Sequence, residues 1–563
     1  MSANPAAIDL QPNARTVYDV FAATAARQPD SALIAVPQRL AEAWELPKAE
    51  FTYGEVTTEV ERLRALYAGA GYGHGHRVAL LLENRPLLYV HWLALNGLGV
   101  SLVPINPDYR SEETRYLLDH SEAVLVLALA HRLDELRAIA ATSERTPPVI
   151  DVARFASDLP RAPRPGSGRA PGPADEAALL YTSGTTGRPK GCMLSNAYFH
   201  GWGRRYVQIG GLVSLRPGRE RLLQPLPTFH VNAIGNAFQG MLFSGGCQIV
   251  LDRFHPKLWW REAAETRATI FHYLGVMPAL LLGVAPSPDD RRHGLRLGFG
   301  GGVEPAHHAA FEARFGCVLT DGWAMTEAGG TGLMSACDEP RVIGERCMGL
   351  PPPDMEIRLV DGDARDIAGA GQGEMLVRAK GADPRRGFFS GYFKDAAATE
   401  AAWAGGWFHT GDVIRRDEAG RLYFGERKKS IIRRSGENIA PAEIELVLYQ
   451  CPLVRNVAVI AAADPVRGEE VMACIEPAEG AKPDRATADA LFDWCFERLA
   501  YYKAPGYVAF FDGLPTTSTQ KVQKAGLAAL GRDPSSGKTV FDLRERKRRE
   551  RQTSAPAEGS RRL

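Results

Sequence analysis

The chain has 563 residues, 45% hydrophobic and 24% charged, with Lys and Arg almost balancing Asp and Glu for a formal charge of +1. That balance offers no bulk electrostatic reason to bind nucleic acid or an anionic membrane, and the length is too great for one core, so at least two domains are expected. Eight cysteines stand without a Cys-x-x-Cys pair or metal-ligand spacing, as in a reduced, cytoplasmic protein. No secretory leader is legible from Met1 to Val17. The apolar stretch Val78–Pro104 is broken by Glu83, Asn84, Arg85 and His91, so it reads as core and not as a membrane span.

In chain order, an amphipathic helix within residues 15–35 (Val17, Val20, Phe21, Ala25) leads into a strand at Ala32–Val36. A second helix follows Phe51–Glu55, with apolar positions at Val60, Leu63, Leu66 and Tyr67. The continuous apolar run Arg77–Leu82 has the form of a buried parallel strand. A helix over Leu87–Gly97, the run Val100–Pro104, and the pair Arg115–His120 and Ala123–Ala128 repeat the alternation. This pattern predicts α/β layers around a mainly parallel sheet. Residues 157–174, rich in Pro, Gly, Arg and Ala, read as a surface linker. Further strands are predicted near Arg221–Pro227, Cys247–Leu251, Ile270–Tyr273 and Leu295–Phe299. A β-rich section runs from Ile357 to Val377 with Asp361-Gly362 as its turn signal. The charge run Arg544–Arg551 is expected to fray into a disordered basic tail over 536–563.

Chemistry concentrates first at Leu179–Gly191. Thr182, Ser183, Thr185 and Thr186 supply hydroxyls there, Gly184 and Gly187 let the backbone turn its N–H groups onto an anion, and Lys190 adds a mobile charge. The plain alternative is a polar turn. The common P-loop is excluded, because Pro189 precedes Lys190 and Gly191 stands where Ser or Thr should be. The stretch instead resembles the phosphate loop of adenylate-forming enzymes, the superfamily of acyl-CoA synthetases, firefly luciferase and peptide-synthetase adenylation domains.

Companion motifs stand in that superfamily's order. Gly322–Glu327 resembles its second core motif, with Trp323 and Ala324 in place of the usual Tyr and Gly. The resemblance implies that Trp323 offers a face to adenine, with Asp321 and Gly322 beside it. Thr326 is then a hydroxyl near the α-phosphate, and Glu327, with Thr185, an oxygen ligand for Mg²⁺. Phe299–Pro305 contributes Gly301, Gly302 and Val303 next to the base. Gly406–Asp412 resembles the ribose motif, where Asp412 accepts from both hydroxyls. Glu426–Ile439 resembles the interdomain hinge motif, with Arg427 on the ribose, Lys429 as hinge, Arg433 toward the α-phosphate and Gly436 at the CoA tunnel. Leu514–Lys524 places Lys521 where the family's catalytic lysine bridges carboxylate and α-phosphate, although Gln520 replaces the usual Gly. Leu226–Ala233 resembles the family segment that lines the acyl pocket, which implies that His230 gates it; the plain alternative is a core histidine.

The resemblance therefore implies the adenylate-forming fold: a large N-terminal domain of layered α/β subdomains plus a β section over residues 1–427, and a small mobile α+β C-terminal domain over 428–535. It implies an acyl-CoA synthetase that uses ATP, Mg²⁺ and coenzyme A. A carboxylic acid is activated as acyl-AMP with release of pyrophosphate, and the acyl group is passed to CoA. An adenylation enzyme loading a separate carrier protein and a non-catalytic nucleotide-binding homologue are the alternatives. No nucleic-acid partner or membrane span is expected, and a homodimer is open. Segments 227–232, 299–302 and 324–327 are similar to bacterial carnitine and crotonobetaine CoA ligases. A trimethylammonium substrate would suit an aromatic cage drawn from Trp202, Tyr206, Phe229, Tyr273 and Trp323; the alternative is that these rings line an apolar acyl or aryl pocket.

Overall fold

The computed structural model describes residues 8–182, 188–427, 431–515, 524–537 and 539–548. Regular structure starts where the sequence supplies both a cap and a buried face. Thr16 and Asp19 form a reciprocal capping box on the helix Val17–Arg27, and Thr52 and Glu55 form another on Tyr53–Gly69. The continuous apolar runs become strands buried on both faces, Arg77–Leu81, Ser101–Pro104 and Leu125–Ala128, paired in parallel.

Among the described residues the large domain holds three sheets. One has eight strands, running from Met334–Ser335 through Val318–Trp323, Leu297–Gly301, Ile270–Leu274, Arg221–Gln224, Cys247–Val250 and Ala32–Ala35 to Glu50–Thr52. The second has seven and ends in an antiparallel hairpin, Glu176–Thr182 against Lys190–Ser195, with Gly391–Tyr392 added at its edge. The third is a five-stranded antiparallel sheet that contains the predicted β-rich section as Met355–Val360 paired with Gly371–Ala379. The expected linker also packs: Ala162 N–H donates to the Ala70 carbonyl at 2.8 Å and Gly166 N–H to that of Gly71 at 3.0 Å.

The small domain has its own six-stranded sheet and its own apolar core. It extends further than the sequence suggests. Val540–Asp542 pairs with Tyr507–Phe510, and Arg544, Arg546 and Lys547 are anchored on Asp464, Asp489 and Glu470. The tail expected from residue 536 is thus corrected for 540–548, because the basic run meets acids brought from up to eighty positions away. Among the described residues, no helix is long and apolar enough to cross a membrane.

Candidate active site

Ile270–Leu274, Leu297–Gly301 and Val318–Trp323 run parallel and adjacent, and their carboxyl ends are the side on which α/β sheets bind ligands. Close backbone packing sets this floor. A Cβ on Gly300 would lie 2.2 Å from the Tyr273 carbonyl, and one on Gly301 2.8 Å from that of Gly322. Gly302 turns away with φ +80°, a conformation that favours glycine. Val303 N–H then reaches Asp321 Oδ1 at 3.3 Å, and Tyr273 O–H donates to the same oxygen at 3.1 Å.

Asp321 Oδ2 is buried without a protein partner. Burial, partly offset by those donors, pushes the Asp321 carboxyl from 3.8 up to about 6. A buried, unfilled acceptor beside a flat glycine strand fits a planar base that carries an amino group. Trp323 follows two residues later. A Cβ on Gly332 would lie 2.8 Å from the Trp323 ring, so this glycine gives the indole room. Trp323 Nε1–H donates to Asp412 Oδ2 at 2.8 Å, and both residues are buried. Asp412 stands opposite Arg427 across antiparallel strands, so the two residues expected at the ribose share one register position.

Beside the residues expected to hold phosphate stands one that motif reading missed. The hairpin aligns Thr182 with Lys190, while Ser183, Gly184, Thr185, Thr186 and Gly187 lie outside the described residues. Lys190 Nζ sits 4.9 Å above the Tyr392 ring and 3.8 Å from Asp395. Tyr392 O–H donates to Glu327 Oε1 at 2.9 Å. Tyr392 therefore links the predicted phosphate lysine to the predicted Mg²⁺ ligand. Its burial, with the negative charge of Glu327 next, raises the phenol far above its ordinary value. The triplet Ser390-Gly391-Tyr392 carries no signal of its own; edge pairing with Cys192 and Met193 brings it here. Thr326 is fixed by its carbonyl, which accepts Tyr198 O–H at 2.6 Å.

In the segment expected to line the acyl pocket, Thr228 is pinned by Asn84 and Glu83, which fixes the turn before His230. His230 Nε2 lies 3.5 Å from Glu437 Oε2, a residue of the small domain. The neighbouring Gly436 has φ +93°, and a Cβ there would lie 2.2 Å from Leu274 Cδ1. Arg433 is placed with its guanidinium 5.7 Å from the Phe424 ring. Lys429 and Lys521 lie outside the described residues.

Residues 21–393 match the AMP-binding enzyme family, and residues 443–521 match the AMP-binding enzyme C-terminal domain. The chain belongs to the AMP-binding enzyme family. It is 30% identical over 536 residues to a sulfoacetate–CoA ligase of Cupriavidus necator, covering 92% of this chain and 99% of that protein. It is 28% identical to a crotonobetaine/carnitine–CoA ligase of Citrobacter koseri, covering 85% and 93%. Among solved structures, an amide bond synthetase from Marinactinospora thermotolerans superposes with a TM-score of 0.76 at 23% identity, covering 90% of this chain and 99% of that one. ATP-bound MatB from Rhodopseudomonas palustris superposes at 0.62 with 26% identity, covering 92% and 99%.

Within this AMP-binding fold each of the five rings considered for a cage has a neighbour. Trp202 packs on Tyr198, Tyr206 on Phe299 and His272, Tyr273 on Phe271 and Phe229 on His230, while Trp323 serves Asp412. A polar chain adjoins Tyr206: His272 Nδ1 and Gln224 Nε2 approach Asn232 Oδ1 at 2.8 and 3.0 Å, and His272 Nε2 pairs with Tyr206 Oη at 3.0 Å. Burial lowers the His272 pKa to about 3, so the ring is neutral. Asn232 opens the π-helical turn Asn232–Ala237, a geometry common at functional sites.

Proposed function

We propose that the chain is an ATP-dependent acid–CoA ligase whose two steps use the residues gathered above. A carboxylate is a poor acyl donor because its leaving group would be an oxide. Attack by its oxygen on the ATP α-phosphorus expels pyrophosphate and gives a mixed anhydride; the CoA thiol then adds to the acyl carbon and AMP leaves. The first transition state gathers charge on phosphate oxygens, so positioning and electrostatics dominate. In this reading Asp321 accepts from the adenine amino group, Trp323 stacks on the base and holds Asp412 toward the ribose, and Lys190 and Thr326 hold phosphate oxygens. Glu327, with Thr185, would hold Mg²⁺, which supplies positive charge to the phosphates. Lys521 would bridge the carboxylate and the α-phosphate.

The observation that carries the CoA step is the small-domain turn Ser435–Glu437, which closes on Leu274 and His230 beside this nucleotide face. A small acid with a distal hydrogen-bond acceptor, such as a sulfonate, is favoured over a quaternary ammonium. Asn232 Oδ1 already receives Gln224 and His272, so its amide N–H₂ remains to donate. The similarity to a sulfoacetate–CoA ligase supports the same class. A cytoplasmic setting fits the eight cysteines, all free and buried. The test is a panel of sulfoacetate, betaines, aryl acids and medium-chain fatty acids, scored by CoA-dependent AMP formation. Turnover with sulfoacetate above the other acids is expected; turnover confined to betaines or fatty acids would refute the acyl assignment, and none with any acid would refute the ligase.

A further inference from the structure

Lys503 takes no nucleotide or acyl role in this site, yet it is buried between the two domains. It lies between the helix Arg485–Arg498 and the strand Tyr507–Phe510 of the small domain. Its Nζ donates to Glu113 Oε1 of the large domain at 2.5 Å and to Glu443 Oε1 of its own domain at 2.6 Å. Both carboxylates stand in the first turn of a helix, Ser111–Ser121 and Pro441–Tyr449, where the helix dipole favours negative charge. Glu113 also uses Oε2 to accept the Arg110 backbone N–H at 2.9 Å, so its carboxylate cannot rotate off the lysine without uncapping the helix.

Neighbouring contacts cross the same boundary. Asn106 Nδ2 donates to Tyr502 Oη at 2.9 Å, and Tyr109 packs against the apolar cores of both domains with its ring 5.2 Å from Lys503 Nζ. Although burial works against the lysine's charge, Glu113 and Glu443 together hold its pKa well above the ordinary lysine value. Buried ion sets of this kind are weak sources of net stability but strong selectors of register, because a shifted partner leaves a buried charge uncompensated. The register selected here leads into the site. The Glu443 helix begins directly after the hairpin Ile432–Arg434 and Glu437–Ile439, whose turn carries Gly436 against Leu274 and Glu437 beside His230.

We propose that Glu113, Lys503 and Glu443 form an interdomain latch that holds the small domain in the orientation presenting the Ser435–Glu437 turn to the acyl site. Glu113 and Lys503 are positioning residues for the thiol step; neither touches the reacting atoms. A lysine serving only the fold of the small domain would need Glu443 alone and would be indifferent to Glu113.

The test uses the full chain and the variants Glu113→Gln and Lys503→Met. In ligand-free hydrogen exchange, Glu113→Gln is expected to speed exchange across residues 432–439 about tenfold, while the strands Val454–Asp464 and Gly468–Pro477 stay as protected as in the parent. Unchanged exchange at 432–439, or equal acceleration throughout the small domain, would overturn the latch. This arm needs no substrate, so it stands apart from the ligase reading. A second arm, which rests on that reading, uses the panel acid with the highest turnover. Hydroxylamine-trapped adenylate should stay within twofold of the parent while CoA-dependent AMP release falls about tenfold. An equal fall in both half-reactions would overturn the latch even if Lys503→Met proves too unstable to assay.

Discussion

Asp321→Asn is expected to stabilise the ligand-free protein at neutral pH and to weaken nucleotide binding. The carboxyl is 4% exposed, with Oδ1 bonded to Tyr273 and Val303 and Oδ2 unfilled. Burial raises its pKa from 3.8 to about 6. Because the folded value is the higher one, its contribution favours folding fully only below pH about 4 and is lost as the pH climbs through 6. The shift, about 6 minus 3.8, amounts to roughly 3 kcal/mol of lost stability by pH 7.5 and about half of that at pH 5. Asn avoids this cost at every pH but sets an amide against the Tyr273 and Val303 donors, so a gain of about 1–3 kcal/mol at pH 7.5 is expected, shrinking toward pH 5. Urea unfolding followed by tryptophan fluorescence at the two pH values measures the difference. Calorimetric titration with ATP should show a Kd about tenfold higher, the effect of one hydrogen bond to a charged acceptor. A variant no more stable than its parent, with a difference that does not vary with pH, would refute the reasoning.

Three further outcomes follow from the same geometry. Trp323→Phe keeps an aromatic face but removes the Nε1–H donor to Asp412, a carboxylate at 0% exposure; the KM for ATP should rise about tenfold with the KM for the acid unchanged, and an unaltered ATP KM would deny Trp323 an orienting part. Gly436→Ala forces a side chain into a left-handed position against Leu274, so CoA-dependent AMP release should fall by more than tenfold while adenylate trapping persists; normal transfer would show that the turn does not dock as described. Lys521→Ala should abolish adenylate formation yet largely spare transfer from supplied acyl adenylate, and an equal fall in both steps would argue against alternation of the two domains.

Motif order made the family legible in advance. Strand-forming runs, glycines and hydroxyl-rich turns act over a few residues, so the phosphate hairpin and the glycine floor at Gly300–Gly302 could be read from local chemistry. Tyr392 could not, because an isolated Gly-Tyr pair says nothing until edge pairing with Cys192 sets it between Lys190 and Glu327. Counting rings likewise does not reveal which of them meet Tyr198, Phe271 or Phe299. The basic run after 540 was read as solvated because its acids, Asp464, Glu470 and Asp489, lie far back in the chain.

The sequence by itself determined the family and the α/β layering, since these depend on short-range patterns that survive without knowledge of packing. Only the tertiary structure decided how the domains face one another. That orientation rests on Lys503 meeting Glu113 and Glu443. A buried charge is tolerated only where partners from distant segments converge on it, and such convergence has no signature in any single stretch of the chain.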